Sequence, residues 1–163
     1  MTTTRALGLT VIGAAIYIVA TGVALPDPVA SHFGAGGRAD GAMTRNAYLA
    51  LMIGVCCVLP LALALPMRLV VRLPAAFLSL PDKAYWLAPE RAAATRAWLA
   101  DQGAAFGILL CLFLCYTHTL VVRAHATSPP HLDERLMLGG LAAFGACIAG
   151  WLARFVLHFR VRR

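Results

Sequence analysis

Three groups of side chains in this sequence carry atoms that could bind or react. Cys111, Cys115 and His118 stand at i, i+4 and i+7, a spacing that puts all three on one face of a helix. His125, seven residues further on, shares that face if the helix continues. Soft sulfur ligands beside imidazole suit copper or zinc. The second group, His32, Phe33, Asp40 and Arg45, flanks a run of glycines. There His32 either binds a ligand or metal, or bonds main-chain carbonyls and holds the loop down with Phe33 as an apolar plug. The third group, Tyr85, Trp86 and Arg91, combines a cation with aromatics suited to the level of lipid headgroups.

Each group also has a plain structural use. Cysteine in an apolar helix packs as a small hydrophobe, and one ion could not reach Cys111, Cys115, His118 and His125 together without movement. The expectation is therefore no cofactor, with copper or zinc handling through His118, Cys115, Cys111 and His125 as the alternative. Haem would need histidines at similar depth on two spans, and only His118 lies within one. Ion transport usually leaves ionisable groups inside the spans; the first three apolar runs carry no Asp, Glu, Lys or Arg. Residues 34–39 fit G-x-G-x-x-A formally, but they follow an apolar run and not a strand. Neither a phosphate-binding loop nor a nucleophile elbow occurs, so catalysis is not expected.

The elements that must position these groups are membrane helices. Of the 163 residues, 61% are hydrophobic and 13% charged, against about 25% charged in an ordinary soluble domain. Apolar runs of the length that crosses a bilayer core cover residues 7–25, 47–66, 104–122 and 136–154. The sequence thus predicts one all-α, polytopic membrane domain. A 19-residue first run is longer than the apolar region of a cleavable leader, and we read it as retained. Pro60 and Pro66 predict a kink and then an end to the second helix. The loop 26–46, with its glycines and prolines, reads as an irregular, turn-rich cap. The loop 67–103 reads as carrying a short interfacial helix beginning at Pro89, bent at Gly103 into the third span; the loop 123–135 joins the last two.

Basic residues set the orientation. Arg5, Arg68, Arg72, Lys83, Arg91, Arg96, Arg154, Arg160, Arg162 and Arg163 fall on one side, and Arg38, Arg45, Arg123 and Arg135 on the other. Both termini and loop 67–103 are expected in the cytoplasm. The net charge of +7 is spread beside the apolar runs and forms no stripe for nucleic acid. In the last span, Gly139, Ala142, Ala143, Ala146, Ala149, Gly150 and Ala153 recur at steps that permit close helix packing, against the first helix or a second copy.

The stretch Leu25-Pro26-Asp27-Pro28-Val29-Ala30-Ser31-His32-Phe33, followed by Gly37, Asp40-Gly41 and Arg45, resembles an uncharacterised bacterial membrane domain also found in membrane proteins related to the Sdp toxin-immunity proteins. Leu25, Pro26, Val29, His32, Phe33, Gly37, Asp40 and Arg45 carry the match over residues 7–66. Ala42-Met43 departs from it where an aromatic is usual, and the additional helices of the immunity proteins are missing. The segment from Tyr85 to Arg91 looks like one in short members of the group. The resemblance implies a bacterial inner-membrane protein without a settled biochemical role.

The functional expectation is a small binding or accessory protein whose outer loop and helix faces meet lipid and another membrane component, either a protein partner or a second copy. The alternatives are metal handling and a supernumerary subunit of a larger membrane complex.

Overall fold

The structure is a computed structural model describing residues 2–70, 73–74 and 77–160; Arg72, Arg162 and Arg163 of the charge count lie outside the described residues. The chain runs through α1 (Thr2–Gly22), β1 (Val29–Phe33), β2 (Ala39–Met43), α2 (Arg45–Ile53), a π-helical turn (Gly54–Val58), α3 (Leu59–Val70), the short α4 (Lys83–Trp86), α5 (Pro89–Ala124) and α6 (Glu134–Phe159). Four helical stretches, Thr3–Gly22, Arg45–Leu69, Pro89–Ala124 and Glu134–Phe159, are long and apolar enough to cross a membrane. Large apolar side chains such as Leu9, Ile12, Val58, Leu138 and Leu157 stand exposed around them, an arrangement that suits lipid and not water.

The chain ends and starts its helices with local signals. Thr44 leaves β2 and caps α2, its hydroxyl accepting from Ala47 N at 3.3 Å. Asp133 caps α6 by accepting from the amides of Arg135 and Leu136. Pro89 opens α5 at a position where its missing N–H costs nothing.

Three sequence expectations change here. The loop 26–46 is not irregular, since β1 and β2 form an antiparallel hairpin that pairs Val29 with Met43 and Phe33 with Ala39, slipping at Ser31 and at Asp40. The interfacial helix and the third span are one 36-residue helix, about 54 Å long at 1.5 Å per residue, so α5 overreaches a core of about 30 Å. The helix runs unbroken through Gly103. A Cβ there would lie 2.5 Å from Met67 Cβ and 3.3 Å from Ala64 O, and one at Gly107 would lie 3.0 Å from Pro60 O. These glycines let α3 lie against α5, and α1 joins them where Leu7 meets Ala64 of α3 and Ala104 of α5 in one small buried cluster. Finally, α3 continues through Pro66; the irregularity sits just before Pro60, as the π turn.

The stripe of small residues on α6 is not its packing face. Added Cβ atoms at Gly139, Gly145 and Gly150 would meet nothing within 4 Å. Instead α6 leans on α5 through Gly140, against which Tyr116 lies, and through stacked Phe113 and Phe144 at 4.2 Å. Tyr116 donates to Leu136 O at 2.6 Å, and Trp151 Nε1 donates to Gln102 O. Bulky aromatics on one helix used the room left by a single glycine on the other, and the remaining glycines and alanines of α6 face outward.

Candidate functional site

His118 is fully buried where α1, α2 and α5 meet. Its Nε2 lies 2.8 Å from Thr21 Oγ1 and its Nδ1 lies 2.8 Å from Tyr48 Oη. The Thr21 hydroxyl donates to Tyr17 O at 2.8 Å, so its oxygen accepts from Nε2–H. That leaves Nδ1 as the acceptor for Tyr48, and every hydroxyl hydrogen is used. The same logic runs one layer over: Thr119 donates to Cys115 O, and Tyr17 donates to Thr119 Oγ1 at 2.8 Å. Tyr48 also stacks on the imidazole and Tyr17 meets it edge-on. Buried polar groups in an apolar medium are tolerated when each is satisfied, and this cluster is.

The hairpin is tied down above this cluster. Ala30 N donates to His125 Nε2 at 3.0 Å, which leaves His125 Nδ1–H to donate to Val121 O at 2.8 Å. At the tip, Gly36 and Gly37 take φ of +79° and +71°, values open to glycine. Gly36 N then donates to Glu134 Oε1 at 2.5 Å, and Leu132 N donates to Gly37 O at 2.8 Å. At the base, Arg45 donates to two carbonyls of the turn that follows α1, Val23 O at 3.2 Å and Leu25 O at 3.1 Å. Leu25, Val29 and Tyr48 pack as a small core beneath.

Under the hairpin a cleft of about 490 Å³ opens between α2 and α6. Leu51 and Met52 form one wall and Met137 and Leu138 the other, Phe33 forms part of the roof, and Tyr48 reaches in from the buried cluster. His32 and Glu134 stand on its rim. On the solvent side of the roof His32 Nδ1 pairs with Asp40 Oδ1 at 2.5 Å, both side chains well exposed.

The structure therefore brings His32, Phe33, Asp40 and Arg45 into one unit. His32 pairs with Asp40 on the surface and not with main-chain carbonyls, Phe33 lines the cleft, and Arg45 bonds the turn that follows α1. Tyr85, Trp86 and Arg91 do not join them. They sit at the far end of α5, about 50 Å away along a helix rising 1.5 Å per residue. There the Arg91 guanidinium lies 4.1 Å over the Tyr85 ring, Thr95 donates to Trp86 O, and Trp86 and Trp98 both stack on His158.

The four residues considered for copper or zinc point to different neighbours. Cys111 Sγ donates to Cys56 O at 3.3 Å, Cys115 meets the Cys56 and Cys111 thiols, His118 faces Tyr48 and Thr21, and His125 holds β1. Among the described residues no three His, Cys, Asp or Glu side chains are placed to share an ion.

Sequence reasoning passed over Tyr48, Glu134 and the pair Tyr17 and Thr21. The i, i+4 spacing of Tyr17 and Thr21 on an otherwise apolar helix was the available signal; Tyr48 and Glu134 acquire their roles only through contacts between distant segments. No protein-family model matches the chain, and no curated protein and no solved structure matches it either.

Proposed function

We propose that the chain is a small accessory protein of a bacterial inner membrane that acts by binding, and that the hairpin with the cleft beneath it is the surface that meets another membrane component. The observation that carries this reading is the clamping of the hairpin over a cleft lined by exposed Leu51 and Leu138. His125, Leu132, Glu134 and Arg45 hold it from α5, the last interhelical loop, α6 and α2. A loop that only joined two spans would need none of these bonds. A rigid rim over an apolar recess is the usual form of a small-molecule site. The resemblance to the uncharacterised bacterial membrane domain supports the same surface, because Leu25, Val29, Phe33, Gly37, Asp40 and Arg45 are residues that build it. The distribution of arginines supports a hairpin outside and termini in the cytoplasm. Nothing in the reading calls for catalysis, a cofactor or nucleic acid.

Native mass spectrometry of the protein released gently from its own membranes tests the proposal. A membrane component should accompany the 17.3 kDa chain and be lost when Met137→Trp fills the cleft. A bare chain, or a companion indifferent to that substitution, overturns it. Reporter fusions after Arg45 test the orientation, which a cytoplasmic signal would reverse.

A second reading, a subunit of a larger membrane complex, is favoured by α6. Its outward face of Gly139, Ala142, Ala146 and Ala149 is shaped for close helix approach and stands exposed among the described residues. Another polypeptide co-purifying in fixed proportion, and lost on Ala142→Trp, is the expected result.

A further inference from the structure

Beside the cleft lies a second, polar recess of about 620 Å³ where α5 finishes and α6 begins, and Leu120 and Glu134 line both spaces. Arg123, Arg135, Asp133, Thr127 and His131 complete the recess. Passing from one space to the other, the lining changes from apolar side chains facing lipid to charges at the boundary of the apolar belt. That is the polarity of an amphiphile lying along a helix, with its chain in the cleft and its headgroup at the ends of the spans.

The charges narrow the headgroup. Arg123 and Arg135 are exposed guanidinium groups, suited to phosphate oxygens. Asp133 and Glu134 supply two carboxylates, each with one oxygen already committed. Asp133 Oδ1 caps α6 and Glu134 Oε1 takes Gly36 N. A headgroup that is only anionic brings its charge against both carboxylates, and one that is only cationic meets both arginines. A zwitterion carrying phosphate and amine a short distance apart satisfies the two pairs at once. Ethanolamine offers N–H donors to a carboxylate oxygen; choline, with its methyl groups, offers none.

We propose, resting on the binding role above, that the adjoining cleft and recess together hold one phosphoethanolamine lipid, its phosphate at Arg123 and Arg135, its ammonium at Asp133 and Glu134, and one acyl chain beneath the hairpin. The site reads the headgroup by charge and N–H donation, and the chain only by its apolar surface.

The test uses the intact protein in mixed vesicles containing equal amounts of four lipids with identical chains: phosphatidylethanolamine, its N-monomethyl and N,N-dimethyl forms, and phosphatidylcholine. After release, native mass spectrometry reads which lipid remains bound. Retention should fall stepwise with each N–H lost, by roughly tenfold from the first to the last, the size of a charge-assisted hydrogen bond. Arg123→Ala with Arg135→Ala should bring ethanolamine retention down to the choline level, while Met137→Trp should remove all four. Because the methylation series is measured on the unsubstituted protein, misfolding of a variant leaves the result intact. Equal retention of the four lipids overturns the proposal, as does preference for phosphatidylglycerol in a parallel mixture. If Met137→Trp still displaces whatever lipid is bound, the binding role survives that failure; if no lipid is displaced, the lipid proposal falls, and the binding role stands or falls with the companion found on the protein from its own membranes.

Discussion

The thiol of Cys111 donates to the main-chain carbonyl of Cys56 at 3.3 Å, and the reason lies four residues further along the second span. In an α-helix the carbonyl of residue 56 accepts from the amide of residue 60, and residue 60 is proline. That carbonyl thus lacks the donor a regular α-helix would give it, in an apolar medium where an unpaired carbonyl is costly. The π turn Gly54–Val58 spans it, and a thiol from the neighbouring helix donates to it. Gly107, one turn earlier on α5, lets the two backbones come close enough for that thiol to reach.

Cys111→Ala should therefore lower stability by about 1–2 kcal/mol, the cost of leaving a buried acceptor unmet, whereas Cys111→Ser should stay near the parent because a hydroxyl donates at least as well. The decisive measurement is a double-mutant cycle with Pro60→Ala, read by unfolding in mixed micelles. Restoring the amide at position 60 should make Cys111→Ala almost harmless. Equal penalties in the two backgrounds would show that Cys111 merely fills space.

Tyr48 and His118 give a second prediction. Because the Thr21 hydroxyl is committed to Tyr17 O, His118 keeps its proton on Nε2 and offers Nδ1 to Tyr48. Tyr48→Phe removes only that donor and should cost about 1–2 kcal/mol; Thr21→Val should cost a similar amount by stranding Nε2–H. With both ring nitrogens occupied, copper or zinc should leave the melting temperature where a chelator leaves it. A metal-dependent rise abolished by His118→Ala would restore the metal reading.

Much of the helical frame was legible in the sequence because lipid imposes a simple demand: about twenty apolar residues and internally paired backbone. Hydropathy alone located every span. It did not distinguish which glycines matter. The run Gly139 to Ala153 on α6 looked like a packing seam, yet the close approach is made by Gly103 and Gly107 on α5, which carry the same spacing in a segment read as a hinge. Periodicity reports that a helix has a small face, and only the neighbour decides whether it is used. The hairpin was missed for a related reason, since its strands are short, slip twice, and owe their order to bonds from His125, Leu132 and Glu134 as much as to their own pairing. Likewise His118 was legible as a special residue, but its partners come from two other helices, α1 and α2.

That contrast between glycines is open to measurement. Gly107→Ala places a Cβ 3.0 Å from Pro60 O and 3.1 Å from Leu7 Cδ1, and should destabilise by about 1–3 kcal/mol, the range for overpacking a filled interface. Gly145→Ala meets open space and should be neutral or stabilising by up to about 1 kcal/mol through helix propensity. Comparing their thermal unfolding in one detergent decides it, and the opposite ranking would move the packing seam back to α6.

The last prediction concerns the tip of the hairpin, where one substitution has two independent costs. At Gly37 the φ of +71° is unfavourable for any residue with a Cβ, and that Cβ would collide with the carbonyl of Leu132, so relaxing the backbone alone cannot accommodate it. Gly37→Ala should free the tip, break the Leu132 amide bond to Gly37 O and uncover the cleft, while the membrane helices stay folded because none of them depends on that contact. Glu134→Gln keeps the shape but loses the charge of the acceptor facing Gly36 N, and should loosen the tip only slightly. Amide hydrogen exchange separates these outcomes. Exchange at Leu132 and Gly36 should rise more than tenfold in Gly37→Ala and about two- to fivefold at Gly36 in Glu134→Gln, an energy difference of about 1 kcal/mol or less. Exchange at Ala30, whose amide is held by His125 at the other end of the strand, should change little in either variant. If Ala30 opens together with the tip, the hairpin moves as one lid and not as a strand anchored at its base.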